Sequence, residues 1–186
     1  MLMNSSTSAC LLRGINVSGK NMIRMDDLAG LFRGLGFENV STYLQSGNVI
    51  FSHGGQMPAQ QIATIIFSAI SEEMGLEVPV IIRSRQEISN ILINNPFINR
   101  DNLGMDRLYV TMAQFTPSEK HLSDLSSLSF TPERIEIQGK DIYFYSPDGY
   151  GRAKLNNNYL EKKAGVTCTT RNWKTIMALG SMMNDA

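Results

Sequence analysis

The stretch Asn39-Val40-Ser41-Thr42-Tyr43-Leu44-Gln45-Ser46-Gly47-Asn48-Val49-Ile50-Phe51-Ser52 decides the fold. Residues 39–45 and 48–52 read as two strands, and Ser46-Gly47 between them is a tight-turn signal. What matters is what flanks this hairpin. Upstream, residues 8–13 form a short apolar run ended by the turn-rich stretch 14–21, which predicts a strand and a loop. A helix is expected from near Met25, with Asp26 and Asp27 in its first turn, where negative charge suits the dipole. Its apolar stripe is Leu28, Leu31, Phe32 and Leu35, and Gly36 stops it. Downstream, Pro58 opens a helix that turns Ile62, Ile65, Ile66, Ala69 and Ile70 inward and closes at Gly75. Residues 78–83 make a fourth strand. The order is β-α-β-β-α-β.

The remaining chain repeats that order. Ser84-x-x-Glu87 is a capping box ahead of Ile88, Ile91 and Leu92, and Asn95-Pro96 ends the helix. Residues 97–106 read as loop and 107–113 as a strand. Thr116-Pro117-Ser118-Glu119 reads as a second capping box, leading Leu122 and Leu125 into a short helix. Residues 133–138 and 141–146 alternate as a hairpin around Gly139-Lys140. A helix over 153–164, a strand over 166–169 and a terminal helix over about 172–183 complete the chain. The predicted fold class is α+β: two ferredoxin-like subdomains in tandem, each a split β-α-β unit (an α/β plait), plus a C-terminal helix. The expected limits are 1–84 for the first unit, 85–106 for a helical connector and 107–186 for the second.

With 17 Lys+Arg against 17 Asp+Glu in 186 residues, the formal net charge is zero. That balance argues against a globally basic nucleic-acid binder. Two cysteines, Cys10 and Cys168, cannot form a disulfide framework, and no zinc-type spacing occurs. Residues 1–8 lack the features of a signal peptide, and the longest uncharged apolar stretch, 60–71, is too short and polar to span a bilayer. The expectation is a cytoplasmic protein with no membrane association.

Charge is nevertheless uneven. Residues 150–184 hold six Lys/Arg against Glu161 alone, a local charge of +5, and residues 1–25 hold Arg13, Lys20 and Arg24 with no acid. Gly14-Ile15-Asn16-Val17-Ser18-Gly19-Lys20 satisfies the phosphate-loop spacing G-x-x-x-x-G-K. Three features oppose that reading. Asn21 replaces the hydroxyl residue that should bind magnesium, the helix starts late, and Asp26 and Asp27 would repel a phosphate there. The loop still offers Arg13, Asn16, Lys20 and Asn21 to an anion; the competing reading is a solvated loop that needs glycine for its turns. Gln45-Ser46-Gly47-Asn48 has the same two readings, a polar tip or simply a tight hairpin. Arg152 and Lys154, then Arg171, Asn172 and Lys174, supply the second group of candidate ligand-binding residues. Trp173 reads as a core anchor. His53, expected in a loop, and His121 have no ligand-spaced partner, and the cysteines read as buried hydrophobes. No triad or carboxylate pair is evident, so catalytic residues are not assigned, whether the protein is an enzyme stays open, and no metal or cofactor is called for.

Taken together, Leu11 to Asn21, Tyr43 to Phe51, Asn95-Pro96-Phe97 and Thr169 to Thr175 resemble the bacterial domain-of-unknown-function family 1697, from about residue 9 to 180. Two departures stand out: Ser18 replaces the first glycine of the family's usual Gly-Gly-Lys-Asn, and Ala153 replaces a common small hydroxyl residue. The resemblance implies two ferredoxin-like subdomains and no established activity, catalytic residue or cofactor.

The leading expectation is a protein that binds a small anionic or phosphorylated ligand through Arg13, Lys20, Arg152, Lys154, Arg171 and Lys174, with Asn16, Asn21 and Asn172 orienting it. One alternative is single-stranded nucleic-acid binding on an open sheet, with Tyr143 and Tyr145 stacking on bases. Another is a purely structural or dimerising role for the basic motifs. Oligomeric state is not set. In a unit of this kind the first loop and the 45–48 hairpin are expected at opposite strand ends, ~17–20 Å apart.

Overall fold

The computed structural model describes residues 5–17, 19–55, 57–98 and 103–185. The chain forms two units, Met1–Ser89 with Leu179–Ala186, and Asn90–Ala178.

The first unit opens with β1 (Ser5–Leu12), α1 (Met25–Gly34) and β2 (Glu38–Tyr43), and continues through β3 (Asn48–Gly54), α2 (Ala59–Met74) and β4 (Val80–Ser84). Its four strands stand in the order β2-β3-β1-β4, with β1 antiparallel to both β3 and β4. That is the split β-α-β arrangement expected. Apolar side chains on one face of the sheet, Cys10, Leu12, Val49, Phe51, Val80 and Ile82, meet the stripes of α1 and α2 in a single core. The stripe residues Leu28, Leu31 and Phe32 of α1 and Ile62, Ile66 and Ile70 of α2 are all buried there, as their 3.6-residue spacing requires.

After α3 (Arg85–Ile93) the second unit runs β5 (Leu108–Ala113), α4 (Glu119–Ser126), β6 (Arg134–Gln138), β7 (Asp141–Tyr145), α5 (Asn157–Ala164) and β8 (Cys168–Asn172), and the last helix, α6 (Trp173–Asn184), belongs to it as far as Ala178. Its sheet has the corresponding order β6-β7-β5-β8, and its core gathers Ile142, Phe144, Leu125, Leu160 and Cys168. The capping box before α3 forms as expected: the Ser84 N–H donates to Glu87 Oε2 at 2.8 Å and the Glu87 N–H to Ser84 Oγ at 3.2 Å.

The two sheets are alike to the level of single backbone bonds. Leu12 N–H donates to Gly47 O at 2.8 Å, and Ala113 N–H to Lys140 O at 2.9 Å. Arg13 N–H donates to Pro79 O at 3.0 Å, and Gln114 N–H to Thr167 O at 2.8 Å. Across the strands, Ala9 stands beside Ile50 and Arg83, as Val110 stands beside Tyr143 and Arg171. Both arginines are buried and donate from Nη1 to the carbonyl of the preceding residue. Element order alone had shown the likeness; the register extends it to individual residues.

Several boundaries differ from the sequence expectation. The α4 cap is Ser118, whose Oγ accepts from the His121 N–H, so the helix starts two residues past the expected Pro117. α5 begins at Asn157 behind the cap Asn156, because residues 150–152 form a separate 3-10 turn. The last strand is 168–172, which draws Thr170, Arg171 and Asn172 into the sheet. His53 lies in β3 and not in a loop. The hairpin between β2 and β3 has four residues, 44–47, not two: the Asn48 Nδ2 donates to Tyr43 O and Ser46 Oγ and so closes the wider turn.

Candidate functional site

The first loop and the β2–β3 hairpin are neighbours, not opposite ends. β1 and β3 are antiparallel with Leu11 beside Asn48, so the end of one adjoins the start of the other. The expectation of a wide separation is therefore overturned. Asn16 joins the two: its Nδ2 donates to Gln45 O at 2.8 Å and to Ile23 O at 2.9 Å, while its Oδ1 accepts the Ile23 N–H at 2.9 Å. Asn21, likewise in a left-handed conformation, donates to Gly14 O at 3.1 Å. Both asparagines thus direct their side-chain amides at the backbone. Arg13 is half-buried and Lys20 exposed. Replacing Asn16 by alanine removes three hydrogen bonds at once. The expected result is a loss of about 2 kcal/mol of stability, read as a lowered urea midpoint.

The other five candidate residues belong to the second unit. Arg171 is 8 % exposed and donates from Nη1 to Thr169 Oγ1 at 2.8 Å and Thr170 O at 2.9 Å. Asn172 accepts the Lys174 N–H and donates to Asp106 O. Arg152, Lys154 and Lys174 are exposed, with the Lys154 Nζ 6.0 Å from the Phe130 ring centre. The 150–155 segment does hold an anion, and it is the chain's own: Glu133 accepts the N–H groups of Lys154 at 2.8 Å and Leu155 at 3.0 Å. The nine residues therefore divide, Arg13, Asn16, Lys20 and Asn21 in one unit and Arg152, Lys154, Arg171, Asn172 and Lys174 in the other.

Tyr143 is 2 % exposed, so its ring offers no surface for a base to stack on. Burial, with the charge of Asp141 beside it, holds its phenol pKa well above the ordinary value. Ser8 Oγ and His53 Nε2 lie 2.9 Å apart, and His53 Nδ1 lies 2.9 Å from Gly54 O. Ser8 is 4 % exposed, which gives this pair the character of a buried hydrogen bond and not of a nucleophile open to substrate.

Sequence reasoning missed a recess of ≈ 550 Å³ at the beginning of β1, the end of the strand away from the first loop. Thr7, Ser52 and Ser84 line it with hydroxyls, Asn39 and Gln86 with amides and Arg85 with a guanidinium; two further serines at the start of β1 complete it. Among the described residues the lining contains no carboxylate. Arg85 Nη2 donates to Thr7 Oγ1 at 2.9 Å, which orients the guanidinium. Asn39 reaches the recess because the β2–β3 register shifts between Glu38 and Ser41 and Asn39 adopts φ 49°. Its Nδ2 donates to Ser52 Oγ at 3.2 Å. A signal was present in the sequence: Ser5-Ser6-Thr7-Ser8 continues the strand pattern with hydroxyls in place of apolar side chains. A strand traced by its apolar run alone starts at residue 8 and misses them.

The chain belongs to the DUF1697 family of proteins of unknown function, whose model matches residues 5–143. Among solved structures it is similar to the conserved bacterial protein SP0830 from Streptococcus pneumoniae. The two are 22 % identical with a TM-score of 0.75, over 96 % of this chain and 99 % of that one, a likeness of fold. No curated protein matches the chain. Among the described residues no helix is long and apolar enough to cross a membrane.

Proposed function

We propose that the protein is a cytoplasmic binding module for a small anionic ligand, held in the Arg85 recess. The observation that carries this reading is the lining: one guanidinium among hydroxyls and amides, with no acid, in a recess of ≈ 550 Å³. That volume falls within the usual range for small-molecule sites. Hydrogen bonds from a guanidinium to an anion are charge-assisted and give geometric specificity. Arg85 and Gln86 also sit in the first turn of α3, where the helix dipole favours negative charge. The Glu87 carboxylate in the same turn is engaged with the Ser84 N–H, as the capping box demands. Glu38 pairs with Ser52 across the strands and lies outside the lining.

This reading moves the site away from the basic motifs. In it, Asn16, Arg171 and Asn172 hold the architecture, and Lys20, Arg152, Lys154 and Lys174 are solvated charges. Calorimetric titration with inorganic phosphate at constant ionic strength tests it. Arg85→Ala should weaken binding at least tenfold and Arg85→Lys should restore part of it. Lys20→Ala and Arg152→Ala should leave the affinity within twofold. Loss of binding in either of those two, with Arg85→Ala unaffected, returns the site to the basic motifs. No heat for phosphate, sulfate or acetate rejects the module altogether.

A further inference from the structure

We infer that the ligand of the Arg85 recess is a small polyhydroxylated anion, in the chemical class of sugar phosphates and sugar acids. This rests on the anion-binding reading and narrows it. The eight described lining residues are hydrophilic: five carry hydroxyls, two carry amides and one is arginine. No aromatic ring and no branched aliphatic side chain is among them. A nucleobase or aromatic acid presents a flat apolar face, which sites of that kind cover with rings or aliphatic carbon. Among its described lining residues this recess has no ring to offer.

What it does offer is a dense set of groups that both donate and accept. A serine or threonine hydroxyl has one donor and two acceptor positions, and an amide presents both kinds. Sugar hydroxyls need that mixture, since each leaves two or three hydrogen bonds with water when it binds. The one cation matches one anionic group, and Thr7 sets its orientation from one side. Size points the same way: ≈ 550 Å³ is far more than a bare phosphate fills, so the recess has room for a hydroxylated body attached to the charged group. The exposed Asn39 on β2, held by its hydrogen bond to Ser52 on β3, stands where such a body would lie, across the sheet from Arg85 at the start of α3.

The test is a titration panel on the full chain: glucose 6-phosphate, ribose 5-phosphate and gluconate against inorganic phosphate, AMP, benzoate and neutral glucose. The expected result is binding of at least one hydroxylated anion ten times tighter than inorganic phosphate, with AMP gaining nothing over ribose 5-phosphate. Asn39→Gly, which removes an exposed lining amide and suits the backbone at φ 49°, should weaken that ligand severalfold and inorganic phosphate by less. A preference for gluconate assigns a carboxylate head, and a preference for the sugar phosphates a phosphoryl one. Equal affinity for all phosphates, or tighter binding of AMP or benzoate, overturns the inference and leaves the anion reading standing. Absence of binding by every anion overturns both.

Discussion

Gly47→Ala is expected to lower the stability of the first unit by about 3 kcal/mol, the sum of a strained backbone and an overpacked contact. Gly47 has φ 71°, a conformation that costs an L-residue about 1 kcal/mol or more. A methyl group there would also stand 2.6 Å from Ile15 Cδ1 and 2.8 Å from Leu12 Cβ. The isoleucine end can turn aside; the leucine Cβ cannot, because Leu12 is fixed by its N–H to Gly47 O at 2.8 Å. Urea unfolding followed by circular dichroism measures the loss. Gly139→Ala supplies the comparison, since Gly139 has φ 61° in the other hairpin with nothing within 4 Å of the added carbon. It should cost only the backbone part. Equal losses in the two variants would show that the Leu12 and Ile15 contact is not what demands glycine at 47.

Glu133→Ala should destabilise the second unit by about 2–3 kcal/mol. Oε1 of Glu133 accepts the Lys154 N–H at 2.8 Å and the Ser146 hydroxyl at 3.4 Å, and Oε2 accepts the Leu155 N–H at 3.0 Å. Leu155 and Ser146 are fully buried, so the alanine variant leaves polar groups without water to replace the lost partner. Trp173, buried at 2 % exposure in the same unit, reports the transition by fluorescence. Lys154→Ala should cost far less, because its backbone N–H remains and its exposed ammonium contributes little. If the two variants unfold together, the carboxylate is not the group that orders the 150–155 segment.

The basic motifs serve the fold in both cases. A run of Arg, Lys, Gly and Asn is what a chain needs to bind an external anion, and also what it needs to turn tightly and hold its own carboxylate. Residue types do not separate those cases; the partner does. For 150–155 the partner is Glu133, seventeen or more positions upstream. For Asn16 it is Gln45 and Ile23. A closing strand over 166–169 leaves Arg171 outside the sheet, as a candidate ligand-binding residue. The strand instead runs on to Asn172, which sets Arg171 beside Val110 and buries it.

The local chemistry of the chain determined its elements. The 3.6-residue stripes of α1 and α2, the reciprocal Ser84–Glu87 cap and the paired strands on either side of each hairpin all depend on residues within fourteen positions of one another, and they fix the β-α-β-β-α-β order twice over. Fold class followed from that order. Which loops share an end of the sheet, which arginines are covered, and where a recess opens depend on pairings across 29 to 78 positions, such as Leu12 with Gly47, Asn16 with Gln45 and Thr7 with Arg85. Those contacts form only when antiparallel strands have closed, since no short-range bond enforces them. The elements were written in the sequence; the candidate site was made by bringing the polar ends of β1, β2, β3 and β4 together.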